Sequence, residues 1–178
     1  MEIEKVIEEL TAYTVEAAYG AAILEALRLE GLLVLLLTTK LPEKYGDDSE
    51  NFKKAQNSLK RLTMGKLIKR TLKEFEISEY WEEELDNTLF FRNHLVHNIA
   101  WQITNSRLEP DGQERLVQEL TEIRGYFSKA NLEIMKHIYQ WFESQGISRE
   151  MFQEMTKNWI EIVKEERKRD SDSNCVFK

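Results

Sequence analysis

Arg92, Asn93 and His97 fall within six consecutive residues of the stretch LFFRNHLVHNIAW, Leu89 to Trp101. They are a permanent cation, an amide and a titratable base. Such a set suits cleavage of a phosphodiester in RNA, which carries its own nucleophile, the 2′-hydroxyl. What the protein must add is a general base that titrates near neutral pH, which histidine supplies. It must also add a cation for charge developing on the phosphate, and a guanidinium offers a bidentate fork. That chemistry calls for no metal and no cofactor. Phe90 and Trp101 flank the set and can stack an unpaired base. His94 stands between Arg92 and His97 as a further candidate substrate contact.

These residues need a helix to position them. Counting about 100° per residue from Trp81, the residues Leu85, Leu89, Val96, Ile99, Ala100 and Ile103 gather within roughly 0 to 100° as a core stripe. Arg92 falls at about 20°, inside that stripe, with Asn93 near about 120° and His97 near about 160° along its edge. Phe90 and Trp101 continue the edge at about 180 to 200°, and His94 points elsewhere at about 220°. A guanidinium on a core-facing stripe must find a partner, because stranding a charge costs several kcal/mol. Either the protein supplies a buried carboxylate, or the stripe opens onto a cavity or a subunit interface. Asn93 and His97 are four residues apart, so the amide can orient the imidazole.

The same residues also fit plainer roles. Arginine and histidine at this spacing are common on helices, and the aromatic residues suit a core or an interface. His94 and His97 are three apart, yet no Glu-x-x-His pair or cysteine cluster accompanies them, so no metal site is expected. No glycine-rich phosphate loop, nucleophile elbow or Ser/His/Asp set is visible.

The chain of 178 residues is long enough for one domain with a sizeable core. Its 7 glycines and 2 prolines are too few for a sheet protein rich in turns. The net charge of −7 argues on average against polyanion partners. A local inversion breaks that average. Asn51 to Lys73 holds eight basic residues and no acid, which leaves −15 on the remainder. Lys66, Lys69 and Arg70 of this block are candidate RNA-backbone contacts, although charge runs are usually solvated faces. The lone Cys175 cannot form an internal disulfide, which points to a reducing cytoplasm. The start, MEIEKVIEEL, is acidic and unlike a signal peptide, and LLVLLL is too short to span a bilayer and reads as core, so no membrane partner is expected.

The spacing predicts one long helix or two stacked ones over 1–40, then a loop, KLPEKYGDDSEN, and a short helix from Glu50 to Leu59. Thr63 reads as the N-cap of a helix from Met64 to Phe75 with Met64, Leu67, Ile68, Leu72 and Phe75 buried. The motif helix runs from Ser78 to Ile103, and TNSRLEPDGQ is the next loop. A long helix follows over 113–144, ended by Gly146, with Ser148 capping a last helix that carries Phe152, Met155, Trp159 and Val163. The expected architecture is an all-α, antiparallel up-and-down bundle of four to six helices. It forms a single domain over 1–169 with a flexible tail at 170–178.

RNHLVH, with Asn93 directly after the arginine, resembles the Arg-x4-6-His motif of HEPN domains. LTMGKLIKRTLKEF followed by LDNTLFFRNHLVHNIAW looks like the subgroup in which a Thr-x-Gly-x-Leu-Ile helix precedes an Arg-Asn-x-Leu-x-His helix. The resemblance covers Leu59 to Ile103. It implies a HEPN-like bundle, a homodimer with motif helices facing across a cleft, and a metal-independent endoribonuclease of toxin–antitoxin or antiviral-defence type. In that setting Arg92 and His97 are catalytic, Asn93 orients or polarises, RNA is the substrate and an antitoxin protein is a possible partner. The dimer cleft would also give Arg92 a wet place to hold its charge. One variant of the family extends the motif to Arg-x4-His-x-Tyr, and here Ile99 takes the tyrosine's place. Silencing by tyrosine modification is therefore not expected. Two other readings remain beside the ribonuclease. One is a non-catalytic HEPN-like module that binds RNA, a nucleotide or a protein. The other is an unrelated bundle in which Arg92 is simply paired in the core.

Overall fold

The structure is a computed structural model that describes residues 2–46, 49–105 and 110–154, with side chains described over 14–46, 49–103 and 111–154. Among the described residues every regular element is helical. Helix α1 (Glu2–Thr38) is followed by α2 (Leu41–Tyr45), α3 (Glu50–Leu59), α4 (Met64–Glu74) and α5 (Glu79–His94). A single π-helical turn (Leu95–Ile99) joins α5 to α6 (Ala100–Asn105), and α7 spans Pro110–Ser144. The all-α expectation holds. Two compact units divide the chain at Lys136/His137, a point inside α7.

In the first unit, α1 packs on α3, α4 and α5, and α4 packs on α5. Ala22, Ala26, Leu29, Leu33 and Leu36 recur every three or four residues along α1 and are all buried, giving one continuous face. Leu33, Leu36 and Leu37 carry the LLVLLL run into the core. Each such side chain adds roughly 1.5–3 kcal/mol relative to exposure. The residues Leu116, Leu120, Ile123, Phe127, Ala130 and Ile134 make the matching buried face of α7. Three cross-links show that α5 and α7 run antiparallel. Tyr80 and Glu84 meet Lys129, Phe91 stacks on Tyr126, and His94 meets Glu119.

The caps explain the short elements. Ser49 sits in extended backbone and accepts the Phe52 N–H at 3.0 Å, which starts α3 where the sequence places it. Thr63 has the extended backbone expected of the α4 N-cap, but its side chain makes no cap hydrogen bond. Gly65 lies where α4 meets α5, and a Cβ there would stand 3.3 Å from Leu89 Cδ2. In the second unit, Gly146 at φ 79° ends α7 in the left-handed region that a side chain disfavours. Ser148 then accepts the Met151 N–H to start the next helix, described over 149–154. The Glu150 carboxyl is held below its ordinary value by its own backbone N–H and by Ser148.

Several expectations are corrected. The predicted loop after Lys40 contains α2, because Pro42 sits in the first turn, where its missing N–H costs nothing. In α4, Thr71 is buried while Leu72 and Phe75 are half-buried. Helix α7 begins at Pro110 rather than near Gln113. Val96 is exposed, whereas Leu95 is fully buried. Leu85, Thr88, Leu95 and Ile99 define the buried line, so the true stripe is centred nearer Trp81 and Arg92 than the wheel count placed it. Met155, Trp159, Val163, Cys175 and the expected tail lie outside the described residues.

Candidate active site

Leu85, Thr88, Leu95 and Ile99 bury one line of the motif segment, and Arg92 falls on that line. Its predicted need for a partner is met by Glu30 of α1, whose Oε1 lies 3.4 Å from Arg92 Nε. Their side chains keep 33% and 25% of their surface exposed, so the pair is wet rather than sealed. A half-solvated pair of this kind contributes on the order of 1 kcal/mol. Glu30 approaches the guanidinium nearest at Nε. Among the described residues no other carboxylate pairs with it, so guanidinium donors remain for an anion.

Asn93 and His97 stand on the exposed side. The expected hydrogen bond between them is not made. Among the described residues neither side chain has a hydrogen-bond partner. The amide–imidazole pair four residues apart exists one position along the helix instead. Asn98 Nδ2 lies 3.0 Å from His94 Nδ1, and His94 Nε2 lies 2.8 Å from Glu119 Oε1 of α7. An NH2 group can only donate, so Nδ1 accepts and the neutral ring carries its proton on Nε2, aimed at the carboxylate. Phe90 lies parallel to the same ring, with centroids 6.2 Å apart.

The π turn was not anticipated. The Ala100 N–H reaches back to the Leu95 carbonyl, five residues earlier, and widens the helix at the residues that include His97. Such turns are rare and concentrate at functional sites. Leu95 and Ile99 are both fully buried and pin the inner side of the turn. On the outer side Phe90 and Trp101 are each 65% exposed, a large aromatic surface on one short segment.

The basic block stays at the surface. Lys66 and Lys69 are exposed and Arg70 is half-buried. The Gly65–Leu89 contact brings the first turn of α4, with Lys66, beside α5 one helical turn before Arg92. Earlier in the block, Lys54, Asn57, Ser58 and Arg61 line an open groove along α3. Among the described residues no group of three or more His, Cys, Asp or Glu side chains could hold a metal ion. Among the same residues no helix is long and apolar enough to cross a membrane.

Sequence reasoning missed Glu30, Glu119 and Asn98. The first two are tertiary partners without a local signal. Asn98 was within reach of the spacing argument, since it stands four residues after His94. No family model matches the chain, and neither a curated protein nor a solved structure does.

Proposed function

We propose that the chain is a metal-independent endoribonuclease of HEPN type, working as a cytoplasmic homodimer in a toxin–antitoxin or defence role. The observation that carries this reading is the state of Arg92. Its one ion pair, with Glu30, is half-solvated and leaves guanidinium donors for a phosphate, on the same short segment as an exposed histidine and two exposed aromatic rings. In this reaction the 2′-oxygen attacks phosphorus while His97 takes its proton. The 5′-oxygen leaves, protonated from solvent, and a 2′,3′-cyclic phosphate remains. Arg92 stabilises the charge on the non-bridging oxygens. Asn93 polarises the same group, while Phe90 and Trp101 stack flanking bases. Lys66, Lys69 and Arg70 follow the backbone. The test is cleavage of single-stranded RNA in excess EDTA. Wild type should cut, and Arg92→Ala and His97→Ala should each lose about 100-fold or more. A divalent-metal requirement would refute the mechanism.

One observation favours a second reading, a non-catalytic HEPN-like module that binds RNA, a nucleotide or a partner protein. The orienting partners belong to His94, while His97 has none among the described residues. A catalytic base is usually held in place. Expression in cells separates the two: growth arrest relieved by His97→Ala rules out the binding module.

A further inference from the structure

We propose that His94 is a positioning residue, clamped between Glu119 and Asn98, that fixes the π turn and through it the direction of His97. A turn with hydrogen bonds to the fifth residue is disfavoured against the regular helix and persists only where its surroundings over-determine it. The inner side is determined by Leu95 and Ile99, both fully buried. The outer side needs its own constraint, because Val96 and His97 face solvent there. The His94–Asn98 hydrogen bond supplies it. It spans the three residues that include His97 and ties the residue before the turn to one within it. Glu119 then anchors the ring to α7, so the turn is held against a neighbouring helix rather than by its own backbone alone.

Both ring nitrogens of His94 are occupied, so it has no free nitrogen to serve as a base. With Asn98 Nδ2 facing Nδ1, the Nε2–H tautomer completes the network. Glu119 needs only to accept, which a glutamine carbonyl can also do. The role in catalysis rests on the ribonuclease reading; the clamp on His97 does not.

The test uses the full chain, with long-range 15N–1H spectra of the histidine rings at about pH 8, above the ordinary histidine range. The His94 signals should show a single Nε2-protonated tautomer, and the averaged pattern of a free imidazole would overturn the clamp. Glu119→Leu should shift the ring signals of His97 while unfolding stays cooperative, and Glu119→Gln should restore them. His97 signals that ignore Glu119→Leu would also overturn it. In the RNA assay, Glu119→Leu should lower kcat about tenfold with KM unchanged, and Glu119→Gln should recover it. An unchanged kcat in Glu119→Leu would refute the positioning role. If wild type cuts no RNA, the ribonuclease reading fails and the His97 signals alone decide the clamp.

Discussion

Arg92 Nε and Glu30 Oε1 face each other at 3.4 Å across the contact between α5 and α1, on the buried line of the motif helix. The contact resolves the burial of a cation without consuming it. The ion pair balances the charge from one side, and the guanidinium keeps further donors for an anion. The acid and the cation therefore need not be rivals.

Removing the tether should be mild for folding. Both side chains reach water, so Glu30→Ala is expected to lower stability by about 1 kcal/mol or less in urea unfolding. Its effect on RNA cleavage should be smaller than that of Arg92→Ala, since the cation survives but wanders. Equal losses would mean that Glu30 acts directly on substrate.

The closeness of α4 and α5 can be tested at Gly65, with Gly125 of α7 as the reference. Gly125 lies within α7 with nothing within 4 Å of a would-be Cβ, so Gly125→Ala should stabilise by about 0.5–1 kcal/mol through helix propensity. Gly65 offers the same propensity gain, but Leu89 Cδ2 at 3.3 Å must yield to the new methyl group. Gly65→Ala is expected to gain less than Gly125→Ala, or to lose stability. Thermal melts of the two variants make the comparison.

A buried amide should be costly to remove. Asn131 is 2% exposed and donates both to the Glu25 carbonyl and to its carboxylate, the latter at 2.7 Å, joining α7 to α1. Asn131→Ala should destabilise by about 1–3 kcal/mol. Asn131→Asp should be worse at neutral pH, because it sets a second carboxylate against Glu25, and should recover partly in acid.

Much of the fold was legible because helices with clear periods and few breakers announce themselves. Helix α3 matches its reading from Glu50 to Leu59, and α4 ends one residue early. The π turn was not legible, because the apolar spacing around Leu95 and Ile99 reads equally well as a regular helix. For the site, the pattern showed that Arg92 needed a partner. It could not name Glu30, which α1 brings in from far along the chain. Nor could it show which histidine would be held, because that depends on Glu119 arriving on α7.

One pH dependence follows from the α5–α7 pair. Lys129 is raised above its ordinary 10.5, chiefly by the Tyr80 hydroxyl and then by Glu84. A raised folded-state value means the Lys129 contacts stabilise fully below 10.5 and fade as pH climbs through the raised value. Lys129→Met should therefore be less stable than wild type near neutrality and should converge on it in strong alkali. Chemical denaturation across that range checks this, and a gap that stays constant with pH would argue against a stabilising Lys129 contact with Tyr80 and Glu84.

We propose that this chain cuts RNA through the RNA's own 2′-hydroxyl. The most direct test is a single-stranded RNA mapped for its cut site in excess EDTA, then resynthesised with one 2′-deoxy residue immediately 5′ of the scissile phosphate. Wild type should leave a 2′,3′-cyclic phosphate on the all-RNA strand and spare the substituted position. Cleavage that persists there, or that is undiminished in Arg92→Ala and His97→Ala, would contradict it.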